Sequence, residues 1–107
     1  MEIELSYDES NGYTEAFLVE NCDRDDYDQI TTYLMDECNM EFYDFNEDEA
    51  YCSGTLYVDK KEVLLCFDSL TGISIKPLNL EKAKKVENLE VKEVAQYLFT
   101  ELKGIFD

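Results

Sequence analysis

A run of apolar residues at helical spacing near the C-terminus constrains the fold more than any other feature of the sequence. The residues recur at i, i+3, i+4, i+7, i+11 and i+14, and they are Val91, Val94, Ala95, Leu98, Leu102 and Ile105. An α-helix places residues at this spacing on one side, so the pattern predicts an amphipathic helix with Asn88 as its N-cap. A helix with one apolar stripe must bury it against another layer of structure. The rest of the chain therefore has to supply a surface that covers it.

The N-terminal segment reads as a pair of strands. Residues 2–7 alternate polar and apolar side chains with the period of two that is typical of a half-buried strand. Asn11 and Gly12 follow as a turn, and residues 13–20 resume the extended pattern. This arrangement predicts a first hairpin, whose outer face would carry Glu2 and Glu4.

The middle of the chain predicts a meander of antiparallel strands. These strands are expected at residues 40–45, 51–58, 62–67 and 73–77. The segment 46–49 between the first two is so densely acidic that we expect a mobile loop. Residues 63–67 are apolar at every position, so the strand that contains them should be the best covered strand of the meander. Thr71-Gly72 would turn the chain into the last strand, which Pro77 would end.

Another helix is predicted between the first hairpin and the meander. Asp23 is a suitable N-cap, and Asp25 and Asp26 would lie in the positive first turn. We expect this helix to run to about Cys38. Its apolar side would carry Tyr27, Ile30, Leu34 and Cys38, and its opposite side Asp25, Asp28, Gln29, Thr32 and Asp36. The helix would thus bury one side and present carboxylates on the other.

A chain of 107 residues is long enough for one continuous core and too short for two. We therefore expect residues 1–107 to form a single α+β domain. It would contain a mainly antiparallel sheet of about five to six strands and two main helices, in the order ββα-β-βββ-α. A short lysine-rich turn, capped by Asn79 and running through Val86, would connect the sheet to the last helix.

The sequence indicates neither export nor membrane insertion. Its first 20 residues lack a basic segment followed by an apolar run, and nowhere does it offer the roughly 18 consecutive apolar residues of a membrane span. The four cysteines are not spaced like a zinc or redox motif, and the chain has no histidine. These features predict a cytoplasmic protein with reduced thiols, no bound metal and no cofactor.

The net charge of −17 arises entirely in the first half of the chain. Residues 1–59 hold 18 Asp and Glu against the single Arg24, whereas residues 60–107 hold eight Lys and eight acids. Seven of the eight tyrosines also lie in the first half. A device for solubility alone has no reason to be confined to one half, so the asymmetry favours a binding surface.

A field of one sign attracts a partner of the opposite sign and repels nucleic acid and anionic membranes. The preferred partner is therefore a basic protein, with no direct contact to nucleic acid or membrane. Tyrosine is common at interface hot spots, which adds the tyrosines beside the acidic loop to the carboxylates. The predicted partner-binding residues are Asp25, Asp28, Asp36, Tyr43, Asp44, Glu47, Asp48, Glu49 and Tyr51.

Patterns typical of catalysis are missing from the sequence. The absence of histidine removes the commonest arrangements that activate a serine or cysteine nucleophile. The acidic segment 23–28 lacks the glycine and glutamate that a calcium loop requires, and the four glycines are too scattered for a phosphate-binding loop. The lysines around Lys82 and Lys92 alternate with acids, as on a solvated helix face. We therefore expect a protein that is not an enzyme.

Three functions agree with these features. In size and charge the chain resembles small acidic α+β immunity proteins of bacteria, which implies an inhibitor that neutralises a basic toxin such as a nuclease. A phage or plasmid nucleic-acid mimic of the anti-restriction or anti-CRISPR type is the first alternative, because rows of carboxylates can stand in for phosphates. An acidic host adaptor with no inhibitory role is the second. Immunity is the leading hypothesis: nuclease surfaces are basic because they bind phosphate, so an acidic face can occupy the nuclease site or a surface next to it.

Overall fold

The computed structural model describes residues 1–48, 50–80 and 85–107. Its strands are β1 (Ser6–Asp8), β2 (Glu15–Val19), β3 (Glu41–Glu47), β4 (Tyr51–Val58), β5 (Lys61–Asp68) and β6 (Gly72–Pro77). Its helices are α1 (Arg24–Asp36) and α2 (Lys85–Phe106). The element order and the α+β class are those predicted from the sequence.

The six strands form one antiparallel sheet in the order β1-β2-β6-β5-β4-β3. Strands β3 to β6 make the predicted meander, and β1 and β2 make the predicted hairpin. The hairpin joins the meander because β2 pairs with β6, with Ala16 opposite Ile75. Strand β5, which is apolar at both faces, lies between β4 and β6, and four of its residues are buried.

Both helices pack on the same side of the sheet. From α1, Tyr27 contacts the rings of Phe42 and Phe67, at centroid distances of 6.4 and 6.1 Å. The stripe of α2 is buried in the same core as Ile73 and Ile75 of β6. The tips of the two helices meet where Phe106 packs edge-on against Tyr33, at 5.6 Å. The opposite side of the sheet carries no helix in the described chain.

Helix α1 begins where the sequence predicts. The Asp23 carboxylate accepts the backbone N–H of Asp26, while the Asp26 carboxylate accepts the backbone N–H of Asp23. This reciprocal capping box satisfies two otherwise unpaired donors. Burial of Tyr27, Ile30 and Leu34 confirms the predicted apolar side.

The predicted N-cap of the last helix is wrong. Helix α2 is already formed at Lys85, and Asn88 lies inside it. The Asn88 side-chain oxygen instead accepts the backbone N–H of Thr14, at 3.0 Å, and so ties α2 to the entrance of β2. Of the predicted lysine-rich turn, residues 81–84 lie outside the described residues. The predicted stripe is buried from Val91 to Leu102, but Ile105 is 58% exposed.

The bounds of two strands in the structure differ from the predicted bounds. Residues 2–5 alternate as expected, with Ile3 buried and Glu2 and Glu4 exposed, yet the strand itself is only Ser6–Asp8. The predicted acidic loop is shorter than residues 46–49, because Asn46 and Glu47 pair with Ser53 and Cys52 as part of β3. Cross-strand pairing and a neighbouring cation stabilise the strand there despite its charge.

Candidate protein-binding surface

The three predicted carboxylates of α1 lie on its solvent side. Asp25, Asp28 and Asp36 are all exposed, on the side of the helix opposite the buried Tyr27 and Ile30. Asp28 and Asp36 are separated by roughly 12 Å of helix rise. The row is therefore open to a partner along its length.

Arg24 joins this row to strand β3. Its Nε lies 3.1 Å from the Asp28 carboxylate and its Nη1 lies 2.6 Å from that of Glu47. The guanidinium also lies over the ring of Phe45, 5.3 Å from its centroid. The only arginine of the chain thus holds two predicted binding residues together at the corner between α1 and β3, and neutralises part of their charge.

Replacing Arg24 with glutamine should lower the free energy of unfolding by about 1 kcal/mol, because two partly exposed ion pairs and a cation–π contact are lost. Urea denaturation at low salt measures the change. Lys60→Gln is the matched control, since it removes the same charge from the exposed turn between β4 and β5. Equal midpoints for the two variants would contradict the stabilising role of Arg24.

A shallow groove runs between the two helices on the same side of the molecule. It is lined by Asp28, Gln29, Thr32, Tyr33, Asp36, Glu37 and Phe106. The Tyr33 hydroxyl donates to the Glu101 carboxylate at 3.5 Å. The groove therefore combines carboxylates with an aromatic floor.

The side of the sheet away from the helices forms a second surface, here called the outer face. Its larger side chains are Phe17, Tyr43, Tyr51, Tyr57 and Leu64. The strand register places them together: Leu64 of β5 is paired with Thr55 of β4, which is paired with Tyr43 of β3. Directly paired residues point to the same side of a sheet. Along β4, Tyr51 and Tyr57 alternate with the core residues Cys52 and Leu56.

A polar network occupies the centre of the outer face. The Ser74 hydroxyl donates to the Glu15 carboxylate at 2.7 Å, and the Lys76 ammonium lies 3.8 Å from the same carboxylate. The ammonium also lies 5.4 Å from the centroid of the Tyr51 ring. The Tyr51 hydroxyl donates to the Cys66 sulfur at 3.4 Å. Burial raises the pKa of both Tyr51 and Cys66, so these groups are neutral near pH 7.

At the rim of the outer face, Tyr43 is fixed by an acidic neighbour. Its hydroxyl donates to the Glu62 carboxylate at 2.9 Å, and this hydrogen bond raises the pKa of Tyr43 to about 12. Glu41 and Glu62 are exposed beside it. The ring of Tyr43 is therefore held in place while 36% of the residue stays exposed.

The structure divides the predicted binding residues between two sides of the molecule. Tyr43 and Tyr51 lie on the outer face, whereas the carboxylates of α1 and Glu47 lie on the helix side. Asp44 is exposed at a bulge in β3, where its φ is +53°, and Asp48 is exposed in the connection to β4. Glu49 lies outside the described residues.

Sequence reasoning did not select Phe17, Tyr57 or Leu64 as binding residues. The period of two in β4 was a usable signal for Tyr57, because it alternates with buried positions. Leu64 gave no such signal, since its whole segment is apolar. Phe17 joins the outer face only through its pairing with Ser74 of β6, a partner that local sequence does not specify.

Within the described ranges, no group of three or more His, Cys, Asp or Glu side chains is arranged to hold a metal ion. In that same part of the chain, no helix combines the length and the apolar character needed to cross a bilayer. Comparison of the chain with protein-family models, with curated protein sequences and with solved structures gives no match.

Proposed function

We propose that this protein is a stoichiometric inhibitor that binds a basic protein, in the manner of a bacterial immunity protein that neutralises a basic toxin such as a nuclease. One observation carries the proposal: the surface has far more carboxylates than its own cations compensate. The chain holds 26 Asp and Glu against nine Lys and Arg. The cations that form ion pairs within the described ranges are Arg24, Lys61, Lys76, Lys92 and Lys103.

Such a surface favours a basic partner for two reasons. A negative field steers a positively charged protein and raises its association rate, by about tenfold to a thousandfold in well-placed cases. Nuclease surfaces are basic because they bind phosphate, so an acidic protein can occupy the nucleic-acid site or a surface next to it. Aromatic side chains near the charges then supply contacts that salt does not screen.

The state of the thiols also favours binding over covalent chemistry. Burial raises the pKa of Cys22 to about 11, and burial raises the pKa of Cys38, Cys52 and Cys66 as well. The reactive species of cysteine is the thiolate. All four cysteines are therefore protonated near pH 7, and none supplies a strong nucleophile.

The proposal can be tested by capture followed by an activity assay. The immobilised chain is exposed to a lysate of its native organism from which nucleic acid has been removed by precipitation, and bound protein is eluted with a salt gradient. We expect one basic protein whose own activity falls in proportion to the added chain, with a 1:1 end point. A retained protein that is acidic, or whose activity does not change, would contradict the proposal. A competitor DNA that displaces the chain with a steep salt dependence would favour the nucleic-acid mimic instead.

The contribution of α1 to steering is a separate prediction. The triple variant Asp25→Asn, Asp28→Asn and Asp36→Asn should associate several-fold more slowly with the captured protein at low salt, because fewer charges attract it. Stopped-flow or surface-based kinetics measures the rate. The control is a triple variant on α2, Glu87→Gln, Glu90→Gln and Glu93→Gln, which changes the net charge equally. Unchanged association of the first variant would show that α1 does not steer.

A further inference from the structure

Resting on the proposed function, we propose that the outer face of the sheet, rather than α1, is the surface that docks on the basic partner. Both helices pack on the other side of the sheet, so the outer face is the unpartnered side of the described fold. The face is nevertheless rich in large side chains. Tyr43 is 36% exposed, and Phe17, Tyr51, Tyr57 and Leu64 are partly exposed.

The size of the outer face fits a specific interface. The six strands range in length from three to eight residues. At a strand spacing of about 4.8 Å and a rise of about 3.3 Å per residue, they cover on the order of 600 Å² before side-chain relief. A specific complex buries roughly 800 Å² on each partner. The strands thus supply most of this area, and the side-chain relief and the rim of the face add to it. Beside the carboxylates of α1, the aromatic surface is limited to Tyr33 and Phe106 of the groove.

Two aromatic residues of the outer face, Tyr43 and Tyr51, are held in place before any partner binds. Hydrogen bonds hold Tyr51 to Cys66 and Tyr43 to Glu62, and the Lys76 ammonium lies against the Tyr51 ring. Side chains that are ordered before binding lose less entropy on association. These tyrosines thus have the features of interface hot spots, which combine large area with low ordering cost.

The charges of the outer face favour a partner whose surface is positively charged. The face and its rim carry the carboxylates of Asp8, Glu15, Glu41, Glu62 and Asp68. Among the described residues of the face, Lys76 is the cation, and it is paired with Glu15. The uncompensated carboxylates lie around the aromatic residues and Leu64 of the face, which complements a basic surface whose Lys and Arg surround an apolar contact. A second copy of this chain would place like charges opposite each other.

The test pairs a change on the outer face with the same change elsewhere. Leu64→Lys places a positive charge in the centre of the face, and Leu89→Lys makes the same replacement at a residue of α2 that is 54% exposed. We expect Leu64→Lys to weaken binding of the captured basic protein by about 30-fold, as at an interface hot spot. Leu89→Lys should stay within about threefold of the wild-type affinity. Circular dichroism and a thermal melt show that each variant is folded.

A second pair keeps the test decisive if Leu64→Lys does not fold. Tyr43→Ala and Tyr97→Ala each remove an exposed tyrosine, one from the outer face and one from α2. Only Tyr43→Ala should weaken binding, by about tenfold or more. Equal affinities within both pairs would overturn the docking surface and leave the proposed function standing.

Two further outcomes are distinguishable. If the wild-type chain retains no basic protein, the proposed function is wrong and the docking surface is overturned with it. If sedimentation shows a dimer of the free chain that Leu64→Lys dissociates and Leu89→Lys does not, the outer face binds a second copy, and the proposed basic occupant is wrong.

Discussion

Replacing Gly72 with alanine should lower the free energy of unfolding by about 2 to 6 kcal/mol, combining backbone strain with a steric clash. The residue has a φ of +96°, in the region that favours glycine. An added Cβ would lie 1.9 Å from the backbone carbonyl oxygen of Val19 and 2.8 Å from that of Glu20. Both obstacles are backbone atoms at the end of β2. Relief of the clash would therefore separate β2 from β6, the pairing that joins the hairpin to the meander.

Alanine substitutions at two other glycines distinguish the backbone strain from the steric clash. Gly12 also has a positive φ, of +87°, but an added Cβ meets no atom within 4 Å, so Gly12→Ala should cost only the strain, about 1 kcal/mol. Gly104 lies in α2 with open space around it, so Gly104→Ala should stabilise by up to about 1 kcal/mol. Denaturant midpoints measure all three variants. Equal losses for Gly72→Ala and Gly12→Ala would show that the clash relaxes without disturbing the strand pair.

Truncating Tyr27 to alanine should lower the free energy of unfolding by about 3 to 5 kcal/mol, the usual cost of removing a large buried aromatic ring. Tyr27 is fully buried and contacts Phe42 and Phe67, so its ring connects α1 to both β3 and β5. Tyr27→Phe separates the hydroxyl from the ring. In the wild type, the Tyr27 hydroxyl donates to the carbonyl oxygen of Leu65 at 2.7 Å. Losing this hydrogen bond should lower the free energy of unfolding by about 1 to 2 kcal/mol.

The difference in the free energy of unfolding between the wild type and Tyr27→Phe should depend on pH. Burial raises the pKa of Tyr27, whereas the unfolded chain titrates near the ordinary value of about 10. A raised pKa in the folded state gives stability that is present below pH ~10 and is lost as the pH rises towards the folded pKa. The stability difference between wild type and Tyr27→Phe should therefore narrow above that pH. Tyr7→Phe, at a residue that is 45% exposed, is the control, and its free energy of unfolding should differ little from that of the wild type.

The sequence predicted the elements well where the signal is local. The stripe from Val91 to Leu102 repeats every three or four residues, so neighbours along the chain suffice to specify α2. The capping box at Asp23 is local in the same sense. Asn88 was misread because an asparagine ahead of an apolar stripe is a common N-cap, and only the approach of Thr14, 74 residues away, shows its actual partner.

The candidate site was less accessible to sequence reasoning, and the bulge in β3 shows why. Strict alternation would place Phe45 on the same side as Tyr43. Between Tyr43 and Asn46 the pairing with β4 shifts by one residue, and Asp44 takes a positive φ. As a result Phe45 turns to the helix side, where it contacts Phe42 and lies under Arg24. A one-residue change of register thus decides which side chains can meet a partner.

The sequence by itself determined the sign and the imbalance of the charge, the order of the strands and helices, and the apolar sides of both helices. These properties depend on composition or on residues a few positions apart. Only the tertiary structure decided that the predicted carboxylates and tyrosines lie on opposite sides of one sheet. That division follows from the packing of both helices on one side of the sheet and from the pairing of β3 with β4 across the bulge. The helix packing joins segments far apart in the chain, so no short-range pattern encodes it.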